Sequence, residues 1–254
     1  MRETIYSITV HEAFQQDTEC PFCCIEEDVE KKYLDYLLEQ ALMDVRSRGE
    51  TNREGFCRRH FELLYNRRSN RLQLALLLDT HLAEGNKRLE KLCAGPAAEK
   101  TTGTGGQSRW KNVLSKKKEA ESYDRLLQEL RARETSCFIC RKMNEAMEQY
   151  IKVTLYLWEK EKEFAALFGE KKGFCQKHFR QLLEAAVKNL SYRKRKVFIP
   201  LLLEQQLVNL DRMQKEVHHF TKKMSYHNEN LPWGNARDAL IRGIRKVAGF
   251  CRLE

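Results

Sequence analysis

Proline and glycine are scarce in this sequence, which has 4 Pro and 12 Gly among 254 residues. Both residues are frequent in the turns and loops of strand-rich and loop-rich proteins, so their scarcity argues against such architectures. Leu, Glu, Lys, Arg and Ala are abundant instead, and these are strong helix formers. The composition therefore predicts an all-α protein, and its 42% hydrophobic residues are sufficient for a buried core.

Long hydrophobic runs are also missing. No segment approaches the roughly 18 consecutive apolar residues of a membrane span, and the N-terminus has no apolar run of signal-peptide length. We therefore expect a cytoplasmic protein without a membrane segment. In a reducing compartment, nine cysteines are not expected to form a disulfide framework. Their clustering with histidine indicates metal binding instead.

Catalytic motifs are absent as well. The sequence shows no paired carboxylates in a cleft context and no Ser or Cys nucleophile with a matching His. The Gly-rich residues 103–106 lack the strand, helix and lysine that surround a phosphate-binding loop. We therefore predict that the protein is not an enzyme.

The cysteines reveal two copies of one pattern. Each copy has a CxxC pair followed 34 or 35 positions later by the Cys of a GFCxxH segment, and the copies are offset by 117 and 118 residues. Residues 76–82 and 201–207 are similar to each other as well. The pattern predicts a tandem repeat of two whole modules. Its Cys and His residues are Cys20, Cys23, Cys57, His60, Cys137, Cys140, Cys175 and His178.

The two half-sites of each copy suit zinc. A CxxC pair places two thiolates on one tight turn, and a CxxH pair at a helix start adds a thiolate and an imidazole. Zn²⁺ favours this Cys₃His set, and four protein ligands leave no position for water or substrate. We therefore predict two structural Zn²⁺ sites, Cys20/Cys23/Cys57/His60 and Cys137/Cys140/Cys175/His178.

Other interpretations of these residues remain open, namely ordinary buried cysteines, a redox-active CxxC and an iron–sulfur cluster. A redox CxxC is typical of a βαβ setting, and cluster ligation usually uses four cysteines. Cys93 and Cys251 are expected to be small, buried or half-buried side chains. Cys24 has the same expectation, although it could exchange into the neighbouring site under oxidation. His218 and His219 are interpreted as solvated residues near a helix end.

One unbroken helix cannot join the half-sites of a copy, because about 25 residues at 1.5 Å rise would span roughly 37 Å. We expect reversals near residues 39–43 and 158–162. Each module is then a helical hairpin clasped at its open end by zinc and covered by the following helices. The predicted domains are residues 1–93 and 110–254, joined by a flexible linker at residues 94–109. A helix from about residue 116 to 133 leads into the second CxxC.

The C-terminal segment is predicted to form an amphipathic helix over residues 236–249. Asn235 is its predicted N-cap and Gly249 its C-terminal stop. We expect this helix to dock on the second module, and the alternative is a partner-binding face. Its apolar stripe consists of Leu240, Ile241, Ile244, Val247 and Ala248.

The net charge of +10 is compatible with a polyanionic partner. Basic runs occur at residues 67–71, 116–118 and 193–196, and they would form a phosphate-binding strip if the fold brought them together. However, no helix-turn-helix, finger helix or RNA-recognition signature is visible. We therefore expect a protein partner, with nucleic acid as the alternative.

Several motifs together resemble an uncharacterised bacterial family, catalogued as domain of unknown function 6062. They are ETIYSITVHEAF at residues 3–14, the CPFC and GFCRRH segments, residues 76–82, the second CxxC and GFCQKH, and PWG at 232–234. The resemblance covers about residues 3–249 and includes all eight proposed ligands. It implies a bacterial cytoplasmic setting but no activity.

These observations predict a non-enzymatic, zinc-binding helical scaffold or adaptor of unknown partner. The first alternative is a thiol-based redox or metal sensor that releases zinc on oxidation. The second is a nucleic-acid-binding regulator that uses the basic surface, and it would show steep salt dependence of binding.

Overall fold

The computed structural model describes residues 5–41, 44–67, 70–98, 109–225, 228 and 230–253. Over these residues the chain forms α-helices and 3₁₀ turns and contains no strand, so the predicted all-α class is confirmed. No helix within the described ranges has the length and hydropathy needed to cross a membrane. The α-helices are α1 (Ile5–Gln15), α2 (Pro21–Glu39), α3 (Val45–Glu54), α4 (Arg58–Asn66), α5 (Arg71–Ala98), α6 (Arg109–Thr135), α7 (Phe138–Lys160), α8 (Lys162–Gly169), α9 (Gln176–Asn189), α10 (Tyr192–Lys223) and α11 (Ala239–Ala248).

A break between helices lies at each position where a reversal was expected. In the first copy, α2 ends at Glu39 and α3 begins at Val45, and the Asp44 carboxylate accepts a hydrogen bond from a backbone N–H of the first turn of α3. In the second copy, α7 ends at Lys160 and α8 begins at Lys162. Residues 42 and 43 of the first break lie outside the described ranges.

The predicted linker at residues 94–109 overlaps two helices. α5 continues to Ala98 and α6 begins at Arg109, because the Ala-rich end of α5 still favours helix despite Gly95 and Pro96. The rest of the predicted linker, residues 99–108, lies outside the described ranges. The helix predicted over residues 116–133 is the interior of α6.

The chain divides into two compact units that do not follow sequence order. Unit 1 comprises Met1–Glu30 and Met143–Glu254, and unit 2 comprises Lys31–Lys142. The boundaries fall inside α2 and inside α7. These units do not coincide with the predicted tandem modules, residues 1–93 and 110–254. Unit 1 instead contains the first CxxC pair together with the second GFCxxH segment.

An aromatic cluster forms the core of unit 1. Phe14 of α1 has its ring centroid 5.6 Å from that of Phe22 in α2 and 5.8 Å from that of Phe168 in α8. Phe174, from the second GFCxxH segment, lies 5.5 Å from Phe22. All four rings are buried, and each buried Phe stabilises the fold by about 1.5–3 kcal/mol. This packing joins the first CxxC segment to the second GFCxxH segment.

Unit 2 is built on α5, which packs against α3 and α6. Leu64 of α4 and Leu77 of α5 are buried. The Arg133 guanidinium of α6 donates a hydrogen bond to the carbonyl of Gly85 in α5. The second CxxC segment is attached here as well, because the N–H of Phe138 donates to the carbonyl of Gly55 at 3.0 Å.

The C-terminal helix docks as predicted but starts later and buries a different face. α11 begins at Ala239 after a 3₁₀ turn at Gly234–Ala236, so Asn235 is not its N-cap, and it ends at Gly249 with φ of 82°. α11 contacts α9 and α10. Its fully buried residues are Ala239 and Lys246. The predicted apolar stripe instead borders an open groove against α10, and the exposed members of the stripe that line this groove are Leu240, Ile244, Val247 and Ala248.

Candidate metal centres

All eight predicted ligands come together, but not in the predicted groups. Each CxxC pair meets the CxxH pair of the other copy. Site 1 consists of Cys20, Cys23, Cys175 and His178 and belongs to unit 1. Site 2 consists of Cys57, His60, Cys137 and Cys140 and belongs to unit 2.

The predicted pairing within each copy, and with it the zinc-clasped hairpin, is therefore wrong. A hairpin would be required only if the chain returned from each CxxC pair to the CxxH pair of the same copy. The CxxH pair that follows in the sequence meets the CxxC pair of the other copy, so no return within the copy is needed.

The CxxH half-sites have the same local structure in both copies. Cys57 is the N-cap of α4 with φ −70° and ψ 164°, and Cys175 is the N-cap of α9 with φ −69° and ψ 160°. The His lies three residues later, in the first turn of each helix, and is buried in both. The extended N-cap turns the cysteine sulfur towards the imidazole, with S–N distances of 3.2 Å in both sites.

The glycine before each CxxH pair is required by both its backbone and its neighbours. Gly55 has φ of 61° and Gly173 has φ of 76°, a region that L side chains rarely adopt. A Cβ on Gly55 would lie 2.5 Å from the His81 ring, and one on Gly173 would lie 2.9 Å from the Gln206 amide oxygen. His81 and Gln206 occupy equivalent positions of residues 76–82 and 201–207.

Distances in site 1 fit one tetrahedral metal ion. For Zn–S of about 2.3 Å and Zn–N of about 2.0 Å, a tetrahedron has S–S edges of roughly 3.8 Å and S–N edges of roughly 3.5 Å. The sulfurs of Cys23 and Cys175 are 3.6 Å apart. His178 Nδ1 lies 3.5 Å from the sulfurs of Cys20 and Cys23, and 3.2 Å from that of Cys175.

Site 2 has nearly the same dimensions. The sulfurs of Cys57 and Cys140 are 3.8 Å apart. His60 Nδ1 lies 3.2 Å from the sulfurs of Cys57 and Cys137, and 3.4 Å from that of Cys140. Within each site the four ligand atoms all lie within 4.8 Å of one another. Two Cys₃His clusters that could hold metal ions are therefore present.

None of the nine cysteines forms a disulfide. The sulfur–sulfur distances of 3.6 and 3.8 Å are far longer than the roughly 2.05 Å of a covalent bond. The thiols remain available as metal ligands.

Hydrogen bonds among the ligands of site 1 shift their pKa values. Hydrogen bonds with Cys20 and Cys23 lower the pKa of Cys175, whereas hydrogen bonds with Cys175 and Cys20 raise the pKa of Cys23. Burial disfavours the charged His178 ring, but hydrogen bonds with Cys175 and Cys20 outweigh this and raise the pKa of His178 to about 11. Metal binding must therefore displace protons from Cys23 and His178.

In site 2 as well, one thiol has a lowered pKa and another has a raised pKa. Burial disfavours the Cys137 thiolate, but the hydrogen bond with His60 outweighs burial and lowers the pKa of Cys137 to about 6. Burial and the charge of Cys137 raise the pKa of Cys140 to about 12. Metal binding at site 2 must displace a proton from Cys140.

A carboxylate supports the histidine of site 1. The Glu26 Oε2 atom lies 3.4 Å from His178 Nε2, and the other carboxylate oxygen accepts a hydrogen bond from Lys177. Burial disfavours ionisation of Glu26, but His178 and Lys177 outweigh it and lower the pKa of Glu26 to about 2. A carboxylate behind a ligating imidazole fixes its tautomer and raises its basicity.

The two sites differ in exposure. All four ligands of site 1 are buried, whereas Cys57 and Cys140 of site 2 are only half-buried. Solvent and small oxidants therefore reach the sulfurs of site 2 more easily.

The remaining cysteines belong to neither cluster. Cys93 is exposed and Cys251 is half-buried, so the expectation for Cys93 was wrong. Cys24 is half-buried, its sulfur contacts the Thr18 hydroxyl at 3.6 Å, and burial raises its pKa. A raised pKa keeps the Cys24 thiol protonated, which disfavours its exchange into site 1.

Histidines outside the clusters make ordinary contacts in the described ranges. His218 is exposed, and a ring nitrogen of His219 is 2.8 Å from the carbonyl of Pro232. Sequence reasoning gave His81 no role, yet its Nδ1 lies 2.9 Å from the Asn52 carbonyl and its ring packs beneath Gly55. The similarity of residues 76–82 to 201–207 was the available signal for this position.

Some residues of the basic runs have partners within the described part of the chain. Arg67 pairs with Asp35 at 3.1 Å, and residues 68 and 69 lie outside the described ranges. Arg195 donates a hydrogen bond to the carbonyl of Val187, and the Lys196 ammonium lies 4.7 Å from the Tyr192 ring centroid. The side chains at 116–118 are outside the described part.

The fold and its two clusters define a helical protein with two Cys₃His centres built from reciprocal half-sites. The family of unknown function DUF6062 matches residues 1–254, and the chain belongs to this family. No curated protein and no solved structure matches the chain.

Proposed function

We propose that the protein is a non-enzymatic, zinc-binding helical scaffold or adaptor of the cytoplasm. The observation that carries this proposal is the closed shell of four protein ligands in each cluster. A catalytic zinc keeps a position for water or substrate, whereas a structural zinc uses all four positions for protein ligands.

Zinc is the metal that best suits the donor set. Three thiolates and one imidazole at tetrahedral edge distances match structural zinc, whereas carboxylate oxygens, which Ca²⁺ and Mg²⁺ require, are not among the ligands. The nine free thiols favour a reducing compartment such as the cytoplasm.

Each metal ion would connect segments that are far apart in the sequence. In site 1, Cys20 is 158 residues from His178, and in site 2, His60 is 80 residues from Cys140. Closing long loops has a large entropic cost, so metal binding would supply much of the folding free energy of each unit.

The exposed leucines support a protein partner for the scaffold. Leu78 and Leu82 of α5 are exposed, and so are their equivalents Leu203 and Leu207 of α10. Apolar side chains at matching exposed positions of both copies favour contact with another protein surface over contact with nucleic acid.

Metal analysis of the chain purified without added metal tests this proposal. We expect about two zinc ions per chain by elemental analysis, and loss of the cooperative thermal transition after exhaustive chelation. A chain that contains no zinc, or that keeps its transition unchanged after complete zinc removal, would refute a structural role for zinc.

A redox sensor is the second candidate, because Cys57 and Cys140 are half-buried. Mild peroxide would then oxidise site 2 and release one zinc per chain, while reductant would restore it. Retention of both zinc ions until the protein unfolds would favour the scaffold.

A further inference from the structure

The C-terminal helix places a buried ammonium group beside site 1. Lys246 of α11 is only 2% exposed. Its Nζ donates hydrogen bonds to the backbone carbonyls of Glu19 and Lys172, and it lies 3.4 Å from the Glu19 carboxylate. Glu19 immediately precedes Cys20, and Lys172 precedes the second GFCxxH segment. One side chain therefore connects the two halves of site 1.

The surroundings of Lys246 are those of a charged amine. Burial lowers the pKa of Lys246, and the nearby Glu19 carboxylate opposes that change. Three oxygen acceptors surround Nζ, which matches the three N–H groups of an ammonium ion.

Site 2 makes the equivalent connection with a neutral group. Ser136 corresponds to Glu19 at the offset of 117, and Glu54 corresponds to Lys172 at the offset of 118. The Ser136 hydroxyl donates a hydrogen bond directly to the Glu54 carbonyl at 2.6 Å. The same connection is therefore made by a hydroxyl in site 2 and by an ammonium ion in site 1.

Lys246 belongs to an ionic cluster of three cations and three carboxylates. Arg212 and Arg242 both pair with Glu19 and with Glu216. Lys246, one turn after Arg242 on α11, also contacts Glu19, and Arg242 pairs with Asp238 as well, so three cations face three carboxylates. Among these cations Lys246 is the most deeply buried, since its side chain is 1% exposed, against 29% for Arg212 and 21% for Arg242.

A Zn²⁺ ion with three thiolates and a neutral imidazole carries one net negative charge. In a buried site this charge is costly unless an opposite charge lies nearby. All ligands of site 1 are buried, so solvent provides little of that compensation.

We infer that Lys246 is a positioning residue of site 1, whose buried ammonium group holds the two half-sites together and offsets part of the negative charge of the zinc–thiolate centre. This inference rests on the proposed zinc function. It implies that α11 helps to retain the metal in site 1. Replacement of Lys246 should therefore speed zinc release from site 1 and not from site 2.

Site-resolved zinc release tests the inference on the full, zinc-loaded chain. The protein is treated with excess chelator and iodoacetamide, and alkylation of each cysteine is followed by mass spectrometry. In K246M we expect alkylation of Cys20 and Cys23 to accelerate about 10–100-fold, the usual effect of losing an outer-sphere partner. Alkylation of Cys137 should keep its wild-type rate.

Two further variants, K246R and K215M, serve as controls. K246R keeps the positive charge and should remain near the wild-type rate at Cys20, whereas a purely packing role would make both Lys246 variants equally fast. K215M removes an exposed cation of α10 that pairs with Asp211, and it should change neither site.

Three outcomes would overturn the inference: no acceleration in K246M, equal acceleration in K246M and K246R, or equal acceleration at Cys20 and Cys137. A wild-type chain that contains no zinc would refute the proposed function instead. The two failures are therefore distinguishable.

Discussion

The sulfur of Cys23 lies 3.6 Å from the sulfur of Cys175, although the two residues are 152 positions apart. Cys23 belongs to the first copy of the repeat and Cys175 to the second. A metal ion in site 1 would therefore hold the two copies together, rather than closing a hairpin within either one.

Paired ligand substitutions distinguish this reciprocal arrangement from pairing within each copy. Cys20→Ser with Cys175→Ser removes two ligands of one site, and the chain should retain about one zinc. Cys20→Ser with Cys57→Ser damages both sites, and the chain should retain none. Elemental analysis of the two double variants measures the difference.

The two double variants are matched, because each removes two cysteine ligands. Pairing within each copy would reverse the result, with no zinc in the first variant and one zinc in the second. That reversal would refute the arrangement of both sites.

Metal affinity should rise with pH. The raised pKa values of Cys23 and His178, and the pKa of about 12 for Cys140, mean that zinc must displace protons from both sites near neutral pH. Each displaced proton changes the affinity by about tenfold per pH unit in this range. We expect affinity, measured by chelator competition, to increase between pH 7 and pH 8.

Proton release can also be counted by calorimetry in buffers with different ionisation enthalpies. Site 1 should release at least two protons, from Cys23 and His178, and site 2 at least one, from Cys140. Zinc binding that is independent of pH and releases no protons would contradict the assigned protonation states.

Loss of the carboxylate behind His178 should weaken site 1. Glu26→Gln removes the charge that lies 3.4 Å from His178 Nε2, and we expect a 10–100-fold loss of zinc affinity at this site. The measurement is competition against a zinc chelator. Glu27→Gln is the matched control, because Glu27 is an exposed neighbour on the same helix.

Equal affinities for Glu26→Gln and Glu27→Gln would show that the Glu26 carboxylate does not support the ligand. A weakened site 2 in Glu26→Gln would also be inconsistent with the contact described, since Glu26 faces site 1.

Gly55→Ala should destabilise unit 2. Gly55 has φ of 61° and ψ of −152°, a conformation that strains other residues by about 1–3 kcal/mol. The added Cβ would also lie 2.5 Å from the His81 ring. We expect a lower free energy of unfolding, measured by urea denaturation of the zinc-loaded protein.

Gly49→Ala is the control for that experiment. Gly49 lies inside α3, and a Cβ there would meet nothing within 4 Å. Replacing a helix-interior glycine by alanine should stabilise the protein by about 0.5–1 kcal/mol. Equal stabilities of the two variants would contradict the conformational role of Gly55.

Local features of the fold were predictable because they depend on neighbouring residues. Helix formers and scarce Pro and Gly indicate the all-α class, and the ligand spacing identifies all eight members of the clusters. The turn before each CxxH pair was also predictable, since Gly55 and Gly173 allow a positive φ. Helix ends were less predictable, as shown by α11, which begins at Ala239 rather than after Asn235.

The sequence by itself determined the helical class, the eight ligands and the Cys₃His composition of each centre. Only the tertiary structure decided which half-sites meet, because the two CxxC pairs are chemically equivalent and spacing does not distinguish their partners. Long-range packing, such as Phe22 against Phe174 at 5.5 Å, selects one pairing. The sequence likewise does not predict that Lys246 lies beside site 1. Lys246 is 226 positions after Cys20, and its place depends on how α11 packs in the folded chain.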